Sequence, residues 1–264
     1  MKILVVLKQV PDSTTNVKIR PDGEDIERAG VKMVVDPFAE FAIEQAVLLK
    51  EKRSDVESVT ALVAGPAKAA EALRTALAVG ADDGIHIQDD VFDGLDELQV
   101  AAALAAVIKE GGYDLVFRGK QEIDLDSGAL GPALAEALDW PHVGAVTEFA
   151  LAEDGKSFVA GRRVEGAEEK VEVPLPALVT CEKGLCEMRY PSLPNLMKAK
   201  RKPVKAMTTA EVAGFAELTA SVGGSKLHQF APPPERPPGR ILQGEAEETA
   251  KELVKLLREE AKAI

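Results

Sequence analysis

The chain has 264 residues, 46% of them hydrophobic and 29% charged, with a formal net charge of -12. That much apolar material supports a packed core and excludes a disordered chain. The acidic balance excludes nucleic acid as a main partner, because binding there needs a broad cationic face. Two cysteines cannot build a secreted disulfide scaffold, and aromatic residues make up only 4%, so a reducing compartment and an aliphatic core are expected.

Residues 3–7 form a continuous aliphatic run, the pattern of a strand covered on both faces. This start is too short for a signal-peptide core. No uninterrupted apolar run reaches the roughly 18–20 residues that cross a bilayer. A cytoplasmic location without membrane insertion is therefore expected. Residues 31–35 are a second apolar run, followed by Asp36-Pro37, where aspartate can cap and proline suits a first helical turn. Phe38, Ala42, Ala46 and Leu49 then fall on one helical face, with Glu40, Glu44 and Glu51 opposite. Residues 59–63 read as a strand, and Gly65-Pro66 opens an alanine-rich helix running to about Val79. A short strand at 85–87, a helix striped by Leu98, Ala101, Ala105 and Ile108, a strand at 114–117 and a helix at 128–138 continue the alternation. Strands separated by helices of this length predict crossovers in a mainly parallel sheet.

After Trp140-Pro141 the rhythm changes. Residues 143–151 and 158–164 flank Ala152-Glu153-Asp154-Gly155, a hairpin signal, and apolar runs at 171–173 and 177–180 follow. The expected fold is α/β, a Rossmann-like, mainly parallel sheet flanked by helices, with added antiparallel strands. Residues 223–239 contain Pro232-Pro233-Pro234 and Pro237-Pro238 and should be extended. Residues 245–262 carry an apolar stripe of Ala246, Ala250, Leu253, Leu257 and Ala261. This extended C-terminal arm either docks on another chain or folds back on its own domain. The division expected is an α/β nucleotide-binding domain over 1–222 and an arm over 223–264.

Two segments can carry chemistry. Gly119-Lys120-Gln121-Glu122-Ile123-Asp124-Leu125-Asp126-Ser127-Gly128-Ala129-Leu130 sits between a hydrophobic strand and a helix. In open α/β sheets, ligands bind beyond the carboxyl ends of strands. Small residues let backbone approach a phosphate, and the amides opening the next helix supply donors. Ser127 can add a hydroxyl, whereas Asp124 and Asp126 suit ribose hydroxyls or a helix cap better than an anion. An ordinary connecting loop with a capping side chain stays an alternative. Neither a P-loop nor a GxGxxG pattern is present. The second segment, residues 184–203, contains Leu193-Pro194-Asn195-Leu196-Met197 followed by Lys198, Lys200, Arg201 and Lys202, with Lys205 just beyond. Residues 198–205 hold five cations and no acid. A cationic spot on so acidic a chain attracts an acidic partner surface or phosphate, and with the apolar anchor beside it the segment reads as a docking peptide; a solvated charged loop is the alternative. Cys181 and Cys186 lack the further ligands a metal site needs, and no catalytic grouping is found. The chain reads as a nucleotide-binding module with partner-binding appendages, not as an enzyme.

Several motifs together resemble the electron transfer flavoprotein beta-subunit family. They are Val6-Leu7-Lys8-Gln9-Val10-Pro11-Asp12, Asp36-Pro37-Phe38-Ala39-Glu40 and Arg74-Thr75-Ala76-Leu77-Ala78-Val79-Gly80-Ala81-Asp82. Gly119-Lys120-Gln121-Glu122-Ile123-Asp124 joins them, and most specific is Arg189-Tyr190-Pro191-Ser192-Leu193-Pro194-Asn195-Leu196-Met197-Lys198-Ala199-Lys200. The resemblance implies a heterodimer whose alpha subunit holds most of an FAD. Electrons would pass from flavoprotein dehydrogenases, such as the acyl-CoA dehydrogenases of fatty acid beta-oxidation, to a membrane quinone oxidoreductase. It also implies a structural AMP in this chain, held by Val6, Asp36, Pro37, Phe38, Ala39, Ala64 and residues 119–130. Leu193 stands where the family inserts a leucine into the dehydrogenase, with Tyr190, Pro194, Leu196, Met197, Lys198 and Arg201 around it. The Ser127-Gly128-Ala129-Leu130 run departs from the family's usual hydrophilic loop, which puts individual side-chain contacts in doubt. The Leu130-Gly131-Pro132 ending leans towards electron-bifurcating relatives, which bind a second FAD in place of AMP. A nucleotide-sensing or nucleotide-hydrolysing α/β protein is the alternative of a different class.

Overall fold

A computed structural model describes residues 1–236 and 238–264. Its centre is a nine-stranded sheet. The chain starts with β1 (Lys2–Leu7), whose alternate side chains face opposite cores: Ile3, Val5 and Leu7 on one side, Leu4 and Val6 on the other. A small antiparallel pair, β2 (Gln9–Pro11) and β3 (Met33–Val35), follows. The apolar run at 31–35 thus forms a strand outside the main sheet. Next come α1 (Pro37–Lys52), β4 (Ser58–Gly65), α2 (Ala70–Val79), β5 (Asp83–Gln88), α3 (Glu97–Gly111), β6 (Leu115–Gly119) and α4 (Leu130–Leu138). The C-terminal half adds β7 (His142–Leu151), β8 (Ser157–Val164), β9 (Ala167–Pro174), β10 (Ala177–Cys181), α5 (Leu193–Ala199), β11 (Val204–Met207), α6 (Phe215–Ser221) and α7 (Ala246–Glu259).

The sheet order is β11-β5-β4-β1-β6-β10-β7-β8-β9. Strands from β11 through β7 pair in parallel, and only the β7-β8 and β8-β9 pairings are antiparallel. Two expectations shift here. The run at 177–180 is a parallel strand threaded between β6 and β7, and the basic segment ends in β11, a parallel edge strand beside β5. Both are short, so their pairing is decided by tertiary neighbours rather than by local pattern.

One core packs α1 and α2 on the sheet, and Phe158 of the hairpin joins it. The other packs α3 and α4 against the opposite face. Both are mainly aliphatic, as the composition implies, but Phe41, Phe117 and Phe158 sit in the first and Phe92 in the second. Asp36 caps α1 through the Phe38 and Ala39 amides, with Pro37 in the first turn. The helix buries more of its circumference than its stripe predicts: Glu44 is 3% exposed, off the solvent face assigned to it. Leu98, placed on the apolar stripe of α3, is exposed instead. The alanine-rich helix begins with a 3-10 turn, Ala67–Ala69, before α2 proper.

The described residues from 223 to 239 contain no helix or strand, as their prolines require; Pro237 lies outside the described residues. Leu253 and Val254 of α7 are exposed, and no residue of α7 is buried. No helix among the described residues is long and apolar enough to cross a membrane.

Candidate functional site

After β1 the chain lays β4 and β5 to one side, then returns to place β6 on the other. The sheet order therefore reverses between β1 and β6, the place where open α/β sheets form a ligand crevice beyond their strand ends. Gly119 ends β6 there. A Cβ on it would fall 2.7 Å from Phe38 Cβ and 2.8 Å from the Ala39 nitrogen, so a glycine lets the strand end press on the start of α1. Asp36 binds the two together. One of its carboxylate oxygens accepts the Phe38 and Ala39 N–H groups, and the other accepts the Ile123 N–H at 2.8 Å. Burial pushes this carboxyl above the usual carboxylate range in spite of those three donors.

Beside Gly119, on the α3–α4 side, lies a buried polar cluster. Arg118 is in register with Val6 of β1 and Thr180 of β10, and its guanidinium pairs with Glu122. Both side chains are at most 4% exposed. The pair is incompletely satisfied: Arg118 Nε and Nη1 and Glu122 Oε2 are buried without partners, as are Glu97 Oε1 and His142 Nε2. Burial raises the Glu122 carboxyl against the pull of Arg118. A cavity of about 10 Å³, lined by Val6, Lys8, Asp36, Arg118 and Glu122 among others, opens onto this cluster.

Of the residues expected to hold a nucleotide, Val6, Asp36, Ala39, Gly119, Gln121 and Glu122 line this cavity. Pro37, Phe38, Ala64, Lys120, Ile123 and residues 124–130 do not. Lys120 pairs with Glu182 at 2.5 Å and lies over the Phe38 ring, while Asp124 pairs with Lys8 at 2.9 Å. Asp126 bonds Gln121, and Ser127 bonds Glu97 while accepting the Ala129 N–H. Leu125 is exposed and Leu130 buried; Gly128 takes a positive φ of 64° beneath the loop's turn. Ala129 precedes α4 with no side chain capping the helix. Sequence reasoning missed Arg118 and Lys8. The signal for Arg118 was present: a charged residue at the end of an otherwise apolar strand, on the same face as Val116.

The docking segment is a short helix, α5, capped by Ser192 and held at both ends. Upstream, Arg189 bonds the buried Glu44 at 2.9 Å and grips Glu51 through two N–H groups at 2.6 and 2.8 Å. These contacts lower the Glu51 carboxyl. Downstream, Lys202 donates to the carbonyls of Leu77 and Ala81, where α2 ends. Lys202 thus turns inward and leaves the basic rim to Lys198, Lys200, Arg201 and Lys205, all exposed. Between the anchors, Tyr190 is 98% and Leu193 72% exposed, with Leu196 and Met197 beside them. Pro194 is likewise exposed in the first turn of α5. Cys181 is buried and Cys186 half-buried, with burial raising the latter's thiol to about 11, so both stay inert thiols. No group of side chains among the described residues is arranged to hold a metal.

A family profile described as "Electron transfer flavoprotein domain" matches residues 25–212. The chain is 40% identical over 266 aligned residues to an electron transfer flavoprotein subunit beta of Bacillus subtilis, covering all of both chains. The Sus scrofa and Homo sapiens proteins of that name are 37% and 36% identical, covering 98% of this chain and 97% of each relative. The chain belongs to the electron transfer flavoprotein family, among its beta subunits. Its role is therefore in electron transfer. Within this family member the crevice at β1 and β6 and the anchored α5 are separate surfaces, one beside the sheet end and one carried over α1 and α2.

Proposed function

We propose that this chain is the beta half of a heterodimer, that it buries an AMP at the β1–β6 crevice, and that it docks flavoprotein dehydrogenases through α5. The alpha subunit holds most of an FAD, which supplies the redox chemistry, and electrons leave for a membrane quinone oxidoreductase. Residues 223–264 form an arm that reaches the alpha subunit, with the unburied stripe of α7 as its contact face. The single observation that carries the docking reading is Leu193, presented at 72% exposure on a helix anchored to α1 and α2 on either side.

The residues present fit an adenine nucleotide. The crevice offers small backbone at Gly128 and Ala129, an uncapped helix start and buried polar atoms without partners. Its present free volume of about 10 Å³ holds one water, so nucleotide entry displaces residues 120–129 outward. Denaturing the purified heterodimer and identifying the released small molecules tests the reading. One FAD and one AMP are expected. Two FAD per heterodimer would replace the AMP assignment with a bifurcating one, and the absence of any adenine compound would overturn the site.

A further inference from the structure

The start of α4 is open in a particular way. Ala129 stands at the cap position without a capping side chain, and the first turn contains no acid. The first intrahelical bond is Ala133 N–H to the Ala129 carbonyl, and Pro132 has no N–H to offer. The Leu130 and Gly131 amides are therefore the donors that open this helix. Arg118 packs against the second of these residues: a Cβ on Gly131 would come within 3.3 Å of its Nη1. The guanidinium is 97% buried by side chain, and its Nε and Nη1 are unpartnered. Its one described charge partner is Glu122, whose second oxygen is itself orphaned. The other cations near the crevice are already committed, Lys8 to Asp124 and Lys120 to Glu182.

A buried guanidinium with two free donor atoms, packed on the opening turn of an uncapped helix, is chemically an oxyanion receptor. Glu122 is too short of partners to be its final counter-ion, because the pair leaves three polar atoms unsatisfied in a place where each costs free energy. We propose that Arg118, together with the Leu130 and Gly131 amides, recognises the phosphate of the bound nucleotide, and that Glu122 is the resident carboxylate this phosphate displaces. This rests on the nucleotide reading of the crevice and adds which residue distinguishes a nucleoside phosphate from a nucleoside. The phosphate is that of AMP or the diphosphate of a dinucleotide, and the two share the same chemistry at this point.

The test uses the heterodimer stripped of nucleotide by dialysis from mild denaturant, with AMP, FAD and adenosine titrated calorimetrically. Arg118→Met is combined with Glu122→Gln so that no carboxylate is stranded in the core. A phosphate held by charge-assisted bonds should lose about 10- to 100-fold in affinity when the guanidinium goes. The expected result is that AMP weakens by that factor in the double variant while adenosine binding stays within about threefold. If FAD is the natural ligand, the same loss appears for FAD, which binds more tightly than AMP in the wild type. Glu122→Gln alone, which keeps the receptor and removes its competitor, should tighten AMP and leave adenosine unchanged. That single variant decides the matter if the double variant does not fold. An AMP-to-adenosine preference equal to wild type in the double variant, or AMP binding unchanged in Glu122→Gln, overturns the role of Arg118 while leaving the nucleotide site intact. Wild-type protein that binds no adenine compound overturns the site and this assignment together.

Discussion

The carboxylate of Asp36 accepts N–H groups from two distant parts of the chain, capping α1 with one oxygen and holding the Ile123 amide with the other. Alanine at this position removes a helix cap, worth about 1 kcal/mol, and strands a partly buried amide, at about 1–3 kcal/mol. Asp36→Ala should therefore destabilise the chain by about 2–4 kcal/mol in urea denaturation. Asp36→Asn can satisfy one of the two sites, since its amide has a single acceptor oxygen, and should lie between the two. An unchanged midpoint for the alanine variant would show that Ile123 finds another acceptor. The capping role was readable from Asp36-Pro37 alone, because capping depends on neighbours in sequence. The contact to Ile123 was not, because it joins residues 87 positions apart that only the fold brings together.

At the scale of elements, the segment around α5 shows the same division. Its composition marked Leu193, Leu196 and Met197 as an apolar anchor with a basic rim, and the helix presents them outward. What composition could not show is the rigidity of the mount. Glu44 reads as a solvent-facing residue of an amphipathic helix, and it became buried because Arg189 arrives from 145 positions away to cover it. Lys202 reads as one more surface cation, and it was drawn inward by two orphan carbonyls where α2 ends. Removing both anchors should free the segment: in an Arg189→Met/Lys202→Met variant, trypsin should cut after Lys198, Lys200 or Arg201 at least about tenfold faster, as cleavage follows local opening. Equal cleavage rates would mean that α5 holds its place through packing of Ala199 alone. The apolar tip makes a separate prediction. Burying one leucine contributes about 1.5–3 kcal/mol, so the proposed docking role requires that Leu193→Ala weaken dehydrogenase binding by about 10- to 150-fold. On that proposal, electron transfer from the dehydrogenase should slow in stopped flow, while the heterodimer's nucleotide content stays unchanged. Rates equal to wild type would remove Leu193 as the anchor.

For the whole molecule, acid and base limbs of stability follow from where its carboxylates sit. Asp36, Glu40 and Glu122 have their carboxyls raised, in each case chiefly by burial. In the window between the ordinary carboxylate value near 4 and their folded values, the native state holds more protons than the unfolded chain. Stability contributed by these groups therefore falls as pH rises through that window. Asp12, Asp22, Glu51, Asp55, Asp89 and Asp96 have theirs lowered: Lys32 holds Asp12, the Glu24 amide Asp22, Arg189 Glu51, and Arg53 holds Asp55 at about 2. Thr209 holds Asp89, and the amides of Gln99 and Ser225 outweigh burial at Asp96. Below about 4 the unfolded chain takes up protons at these positions before the native state does, and stability falls as pH falls. His142, lowered by burial, opposes the first set between its folded value and about 6.5, because there the unfolded chain is the one that protonates. A net charge of -12 at neutral pH adds self-repulsion that fades towards the isoelectric point near 4.9. The limbs meet in mild acid, so the urea midpoint should peak at about pH 4–5.5 and decline on both sides. Glu122→Gln should flatten the decline above the peak and leave the acid limb untouched, because a neutral amide takes up no proton in either state. A midpoint that rises steadily to pH 7 would mean that the buried carboxylates around Arg118 and Asp36 stay fully ionised in the folded protein.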